Sequence, residues 1–401
     1  MVRKFSPTLE ARLDEIITSR LDTVAPAVTL MAILRGEIIL HQAWGWIDPD
    51  TKKIPVTTDT LFDLASVTKL FTVTALLQQV SAGRVVLYTP LVEVIPEFGV
   101  LNPRPMDGGQ DPHSKEVLPI PDAVKGKSVD PAQVTFFHLL THTSGLPAWR
   151  DVFNAAGPAP MSPTQRDSIT WEKRWARGLS AIYGYAFVAQ PDEKVIYSDI
   201  GLMLLGEAVT RLTQRPLDAA IREHVTAPLG LSSPTFNPLQ NNVVCEHIAP
   251  TENDPKWRKR RCWGEVHDEN ACGVGGVAGH AGLFANVRDV AAFGQAWLSH
   301  DPRLKVDPDL MAEAVREQAV SDGNRKGLGW MIKAAEGSSA GEYMDISTYG
   351  HTGFTGTSLF IDPTKQLVVA LLTNSVYPGR EAPGKFELRR DVHNLIGKAA
   401  G

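Results

Sequence analysis

The chain has 401 residues, of which 43 % are hydrophobic and 21 % charged, the proportions of an ordinary globular protein and not of a disordered, collagen-like or coiled-coil chain. Forty basic against forty-five acidic residues give a net charge of −5, with no basic excess to pair with a phosphate backbone, so nucleic-acid binding is excluded as a leading function. At roughly 150 residues per domain the length predicts two or three lobes.

The first twenty residues carry two early basic groups but no apolar run behind them, because Glu10, Arg12, Asp14 and Glu15 interrupt every candidate. This reads as no signal peptide and predicts a cytoplasmic location, or an exported one if a leader has been removed. No apolar stretch approaches the ~20 residues of a membrane span. A helix is expected over residues 7–24, then a hairpin over 27–46 turning at Arg35-Gly36. A strongly apolar helix over 67–80 stops at Gly83, and residues 96–130, rich in Pro, Gly and Asp, read as a long surface excursion. Helical patterns follow over 131–141, 170–186, 199–212, 217–225 and 287–299. Strand character returns over 327–335, 346–350 and the pair flanking Pro363-Thr364, and a helix over 385–396 closes the chain. Two groups of antiparallel strands more than 200 residues apart most economically share one sheet. The expectation is therefore an α+β fold, an α/β sandwich with an antiparallel sheet. Its sheet domain is built from residues 1–75 and 315–401, with a mainly helical insert at 76–314 and a site in the cleft between them.

Three segments carry chemistry. Ser66-Val67-Thr68-Lys69 opens the apolar helix, and a lysine three residues after a serine lies one turn away on the same face. A serine hydroxyl needs such a base, and the helix N-terminus offers free N–H groups to a developing oxyanion. Tyr197-Ser198-Asp199 opens a second apolar helix, where a phenol can relay a proton to a leaving group. Gly350-His351-Thr352-Gly353-Phe354-Thr355-Gly356 is a small-residue run at a strand edge, and the Phe354 N–H there can point at a carbonyl oxygen. Taken singly, each also fits a bland role: a helix cap, a packed tyrosine, a β-bulge.

In this order, the three resemble the signature set of the serine β-lactamase and penicillin-binding protein superfamily, closest to class C β-lactamases and their esterase and D-amino-peptidase relatives. Residues 139–146, 197–206 and 276–283 are similar to further landmarks, and the likeness runs over residues 10–398. The resemblance implies a β-lactamase/transpeptidase-like fold and an acyl-enzyme on Ser66, with Lys69 and Tyr197 sharing the proton transfers. It places His351 with the catalytic set and the N–H groups of Ser66 and Phe354 in the oxyanion hole. Asp199, Thr352 and Gly353 are placed among the substrate-binding or oxyanion residues. No cofactor and no metal are implied.

Two positions depart from the family pattern. Asp199 stands where the lactamases carry asparagine, and is expected to hold Lys69 charged or to cap its helix. His351 replaces the strand lysine that binds a β-lactam's carboxylate, which predicts weak or no β-lactamase activity. The expected substrates are carboxylic esters or short D-amino-acid or muropeptide-like peptides. An acyltransferase, or a penicillin-binding sensor that acylates and stops, are the alternatives; oligomeric state is left open. His142 and His280 read as structural hydrogen-bonders, because no GxSxG elbow accompanies them. Cys245, Cys262 and Cys272, an odd number without a CxxC pair, read as free thiols and not as zinc ligands, although His247, His267 and His280 lie in the same region. The basic run at 256–261 reads as a solvated loop, or as a cleft-mouth patch attracting an anionic substrate. Trp149, Tyr183, Trp263 and Trp330 are candidates for the core or for a substrate pocket.

Overall fold

A hairpin of β1 (Ala27–Leu34) and β2 (Glu37–Gly45) turns on Arg35 and Gly36, both at positive φ (52° and 81°), the geometry that matches the twist of two-residue hairpins. The computed structural model describes residues 7–401. Six later strands complete the sheet: β3 (Ala319–Ser321), β4 (Asn324–Lys326), β5 (Met331–Ile332), β6 (Tyr349–Thr352), β7 (Ser358–Asp362) and β8 (Leu367–Thr373). Their order is β3-β4-β5-β6-β7-β8-β1-β2, with every neighbouring pair antiparallel. The two chain ends meet where β8 pairs with β1, from Val28 opposite Thr373 to Leu34 opposite Leu367.

The central strands are apolar on both faces because both are covered. Val28, Leu30 and Ala32 of β1, with Leu367, Val369 and Leu371 of β8, pack under the helices Pro7–Thr18 and Lys385–Ala399. The alternate residues Met31, Ile33, Val368, Ala370 and Leu372 face the main core and the helix Val287–Leu298. Beyond that helix lies Thr68–Ser81, buried on nearly every side and packed against Asp199–Thr213. Thr68–Ser81 crosses the boundary expected at 75/76. Val287–Leu298, expected in the insert, instead roofs the sheet.

Two sequence expectations change. The hairpin of β3 and β4 was not anticipated, although its Asp322-Gly323 turn has both φ values positive (49° and 76°). The excursion at 96–130 is anchored from below: fully buried Arg104 sits 4.1 and 4.4 Å from the rings of Phe98 and Phe187 and donates to the carbonyls of Ile182, Tyr183 and Tyr185.

Trp330 belongs to the core. It is fully buried, with ring centroids 4.8 Å from Trp297 and 5.1 Å from Tyr349. Trp330→Ala should lower the unfolding free energy by about 3–5 kcal/mol, read as an earlier denaturant midpoint; an unchanged midpoint would contradict this placement.

Candidate active site

The turn that presents Ser66 is held under strain. Ala65 has φ of +46°, a conformation that costs a residue with a Cβ about 1 kcal/mol or more. Asp63 fixes it: one carboxylate oxygen accepts from the Ala65 N–H (2.8 Å) and the other from the His267 N–H (2.6 Å). The strand side locks the same turn, since Thr355 Oγ1 donates to the Asp63 carbonyl (2.7 Å) and Thr357 Oγ1 to that of Leu64 (2.9 Å). Ser66 then stands at the mouth of Thr68–Ser81, where first-turn N–H groups lack intrahelical acceptors.

Lys69 follows one turn later, only 1 % exposed. Its ammonium donates to Ser66 Oγ (2.8 Å) and to the His280 carbonyl (3.1 Å), pairs with Asp199 (2.8 Å), and lies 4.9 Å from the centre of the Tyr197 ring. Burial alone would lower the Lys69 pKa, but Asp199 and Tyr197 outweigh it and the ammonium is held above the usual lysine value. Burial raises the Tyr197 phenol, Lys69 opposes that rise and Asp199 adds to it, leaving the phenol above its usual value. Lys69 is thus protonated at rest and Tyr197 neutral. At rest the coupled pair therefore holds both of its protons, and the two groups titrate together.

Tyr197 is positioned by the turn before its helix. Ser198 caps Asp199–Thr213, accepting from the Gly201 N–H (3.1 Å) and donating to the Pro147 carbonyl (2.7 Å). The Ser198 N–H donates to Nδ1 of His142, whose ring lies 4.8 Å from that of Tyr197. Burial first, then Lys326 and Lys69, keep His142 well below the usual histidine range, so it is a neutral acceptor. Asp199 therefore does not cap its helix. As a carboxylate turned toward Lys69 it has no hydrogen to give an oxyanion.

His351 is 1 % exposed, its Nδ1–H donates to the Thr352 carbonyl (2.8 Å), and its ring lies 5.9 Å from that of Tyr197. Burial first, then Lys69, hold its pKa well down, so it is uncharged. At Gly353 a Cβ would meet Thr357 Oγ1 at 2.1 Å and the Leu64 carbonyl at 2.5 Å, so only glycine lets the two turns touch. Its N–H already donates to the Thr357 carbonyl (2.7 Å), which removes Gly353 as an oxyanion donor. Among the described residues no protein acceptor takes the Phe354 N–H. Carbonyls of this loop are drawn away by cations of the last helix: Arg389 donates to those of Gly353 and Gly356, and Lys385 to that of Phe354 (2.9 Å).

One site residue escaped the sequence reading. Lys326, at the end of β4 and 4 % exposed, places its ammonium 5.4 Å from the centre of the Tyr197 ring. The Asp322-Gly323 turn was the signal that would have found its strand.

Other candidates lie outside the chemistry. His280 supplies its carbonyl to Lys69 while its Nε2 meets Asp268 at 2.9 Å. In the basic run, Arg258 is buried against Cys262 and the His267 carbonyl, Arg260 pairs with Glu265, and Arg261 bonds the Thr251 carbonyl. The three guanidiniums are thus tied down within the fold, Arg260 by a carboxylate and Arg258 and Arg261 by neutral acceptors, while Lys256 and Lys259 are exposed as a solvated loop would have them. The three cysteines are free thiols, and among the described residues no cluster of three or more His, Cys, Asp or Glu is placed to hold a metal. No helix of the described residues is long and apolar enough to cross a membrane. A cavity of about 750 Å³ lined by Trp171, Trp175, Leu179 and Val274 contains none of Ser66, Lys69 or Tyr197.

The profile of the Beta-lactamase family matches residues 13–394. The chain belongs to that family. It is a β-lactamase-family serine hydrolase with the family's α+β fold. An Escherichia coli (strain K12) relative named "Putative D-alanyl-D-alanine carboxypeptidase" is 31 % identical over 402 residues, covering 94 % of this chain and 85 % of the relative. A Salmonella typhimurium protein of the same name is 31 % identical over 385 residues, or 90 % and 82 % of the two chains. Among solved structures, EstCE1, a hydrolase with promiscuous acyltransferase activity, superposes with a TM-score of 0.70 at 20 % identity over 97 % of this chain and 98 % of its own. Unliganded, selenomethionyl LovD, the simvastatin synthase of Aspergillus terreus, gives 0.70 at 19 % identity over 98 % of each chain. A penicillin-binding protein homologue from Pyrococcus abyssi gives 0.66 at 20 % identity over 95 % of this chain and 75 % of its own.

In this β-lactamase-family site, the Asp199 carboxylate raises both Lys69 and Tyr197. Replacing it by a neutral amide lets both groups lose protons at lower pH. Asp199→Asn should therefore move the acid limb of the kcat/KM profile to lower pH. A limb that stays in place or moves up would contradict the pairing.

Proposed function

We propose that the protein cleaves short peptides ending in a D-amino acid, and related carboxylic esters, through an acyl-enzyme on Ser66. The observation that carries this reading is the 2.8 Å contact of the Lys69 ammonium with Ser66 Oγ, inside a set that also holds Asp199 and the Tyr197 ring. In the reaction the Lys69–Tyr197 pair has first released one proton to solvent; Ser66 Oγ then attacks the substrate carbonyl carbon and its proton passes into the vacancy in the pair. The N–H groups of Ser66 and Phe354 receive the oxyanion. The pair returns the proton to the leaving amine or alcohol as the C–N or C–O bond breaks, and water then releases the acyl group. Arg389 and Lys385 support the oxyanion role by holding the loop carbonyls on the opposite side from the nucleophile turn.

The peptide part of the reading draws on the relatives at 31 % identity named as D-alanyl-D-alanine carboxypeptidases. The uncharged His351 supports low activity on β-lactams, since a neutral ring cannot pair with a carboxylate fixed beside β6. Ser66→Ala should lose at least about 10³-fold in kcat/KM on an N-acyl-D-Ala-D-Ala peptide and on p-nitrophenyl butyrate alike. The unaltered protein should hydrolyse nitrocefin far more slowly than the ester. Turnover that survives Ser66→Ala would overturn the mechanism, and nitrocefin hydrolysed as fast as the ester would overturn the part assigned to His351.

A further inference from the structure

The helix Trp171–Gly184 carries Trp171, Trp175 and Leu179 at every fourth position, one apolar stripe along a single face. Leu179 is buried in the core, as that pattern predicts. The outer turn is not covered: Trp171 is 53 % exposed, and Met161, which lines the same cavity, is 48 % exposed. Between this stripe and the segment 274–277 lies the cavity of about 750 Å³, inside the about 300–1,000 Å³ of small-molecule sites. Its two sides are held together by a close backbone approach, since a Cβ on Gly275 would come within 2.9 Å of the Trp171 Cβ.

The charges along the cavity have one sign, with a single exception. Asp167, Glu172, Glu207, Asp218 and Glu265 line it together with one guanidinium, that of Arg174, and with no lysine or histidine. Three of the carboxylates are matched: Asp167 by Arg174 (2.9 Å), Glu207 by Arg211 (2.8 Å) and Glu265 by Arg260 (2.7 Å). Glu207 also accepts from Trp175 Nε1 (2.8 Å), which fixes that ring in the wall. Among the described residues no cation or hydrogen-bond donor pairs with the side chains of Glu172 and Asp218. Each stands in the first turn of its own helix, where the helix dipole favours a carboxylate, but that does not bring both to one cavity. An anion entering here would meet like charge, and a neutral molecule would leave both carboxylates unmatched. A cation with an apolar body answers both features: the body covers the stripe, and the charge rests against the Trp171 ring and the two carboxylates. We propose that this cavity is a second binding site, for a small molecule with an apolar body and an amine or quaternary ammonium head. It is separate from the chemistry. The loop that lines it at 275–277 reaches Lys69 only three residues later, through the His280 carbonyl, and neither Ser66 nor Tyr197 lines the cavity. The proposal does not depend on which substrate Ser66 cleaves.

The test is a calorimetric titration of the full chain with three probes that share one body: phenylbutyltrimethylammonium, phenylbutanol and phenylpentanoate. The cation should bind with one site per chain, about 3- to 10-fold more tightly than the alcohol, and the carboxylate should bind weakest. Its affinity should be the same after treatment with a fluorophosphonate that blocks the catalytic serine. Trp171→Ala removes the exposed ring, and Ala176→Arg sets a guanidinium on an exposed position of the lining; each should weaken the cation about tenfold or more. Glu172→Gln combined with Asp218→Asn, two changes at side chains without partners, should bring the cation-to-alcohol ratio close to one. Ester turnover by these variants reports that they are folded, and the paired amide variant keeps the test open should Trp171→Ala fail to fold. No saturable binding of the cation, an equal or greater affinity for the alcohol or the carboxylate, or binding that the fluorophosphonate abolishes would overturn the proposal. So would binding that all of these variants leave unchanged.

Discussion

The Lys69 ammonium is where three distant stretches of chain are tied together. It touches Ser66 on its own helix, Asp199 at the start of a second, and the His280 carbonyl in a loop more than 200 residues on. A buried cation left unmatched costs several kcal/mol, and pairing with hydrogen bonding offsets that cost. The fold must therefore bring those partners to Lys69, and in doing so it brings Tyr197 over the same ammonium. The interaction that makes burial of the lysine tolerable also sets the proton inventory of the site: a charged lysine, a neutral phenol and a serine hydroxyl that accepts from the lysine.

Around that point the sheet works as a rigid backstop. Strands from both chain ends place the turn at 353–357 against the turn at 63–66, and hydroxyls of Thr355 and Thr357 join the two. On the far side Lys385 and Arg389 of the last helix hold the loop's carbonyls, leaving the Phe354 N–H without a protein acceptor. In the proposed mechanism, donors fixed in this way need not reorganise when charge develops on a substrate oxygen. The burial of β1 and β8 on both faces supplies the stiffness.

How much of this was legible in the sequence differs by the range of the interaction. The Ser66–Lys69 pair could be read because three residues make one helical turn, and Tyr197 because its motif opens an apolar helix. The neighbouring strands β1 and β8 could be read from their continuous apolar runs, since a strand covered on both faces carries no polar alternation. Lys326 could not, because its strand is Asn-Arg-Lys, without an apolar pattern, and only the Asp322-Gly323 turn marks it. Asp63 was equally silent: its two backbone acceptor bonds, one to a residue 204 positions away, leave no local trace. The basic run at 256–261 misled for the complementary reason. Its charges look unpaired in sequence, while Glu265 and the His267 and Thr251 carbonyls that receive them are set by folding.

The cation nearest the Tyr197 ring after Lys69 comes from a strand other than the one that carries His351. His351 is held neutral by burial, and an ammonium reaches the same phenol from β4. All of this depends on Ser66 being the atom that becomes acylated, and that is open to direct measurement. Intact-mass and peptide mapping by mass spectrometry after treatment with a fluorophosphonate should show one adduct, on the peptide containing Ser66, and none in Ser66→Ala. An adduct on another residue, or equal labelling of the variant, would contradict the account.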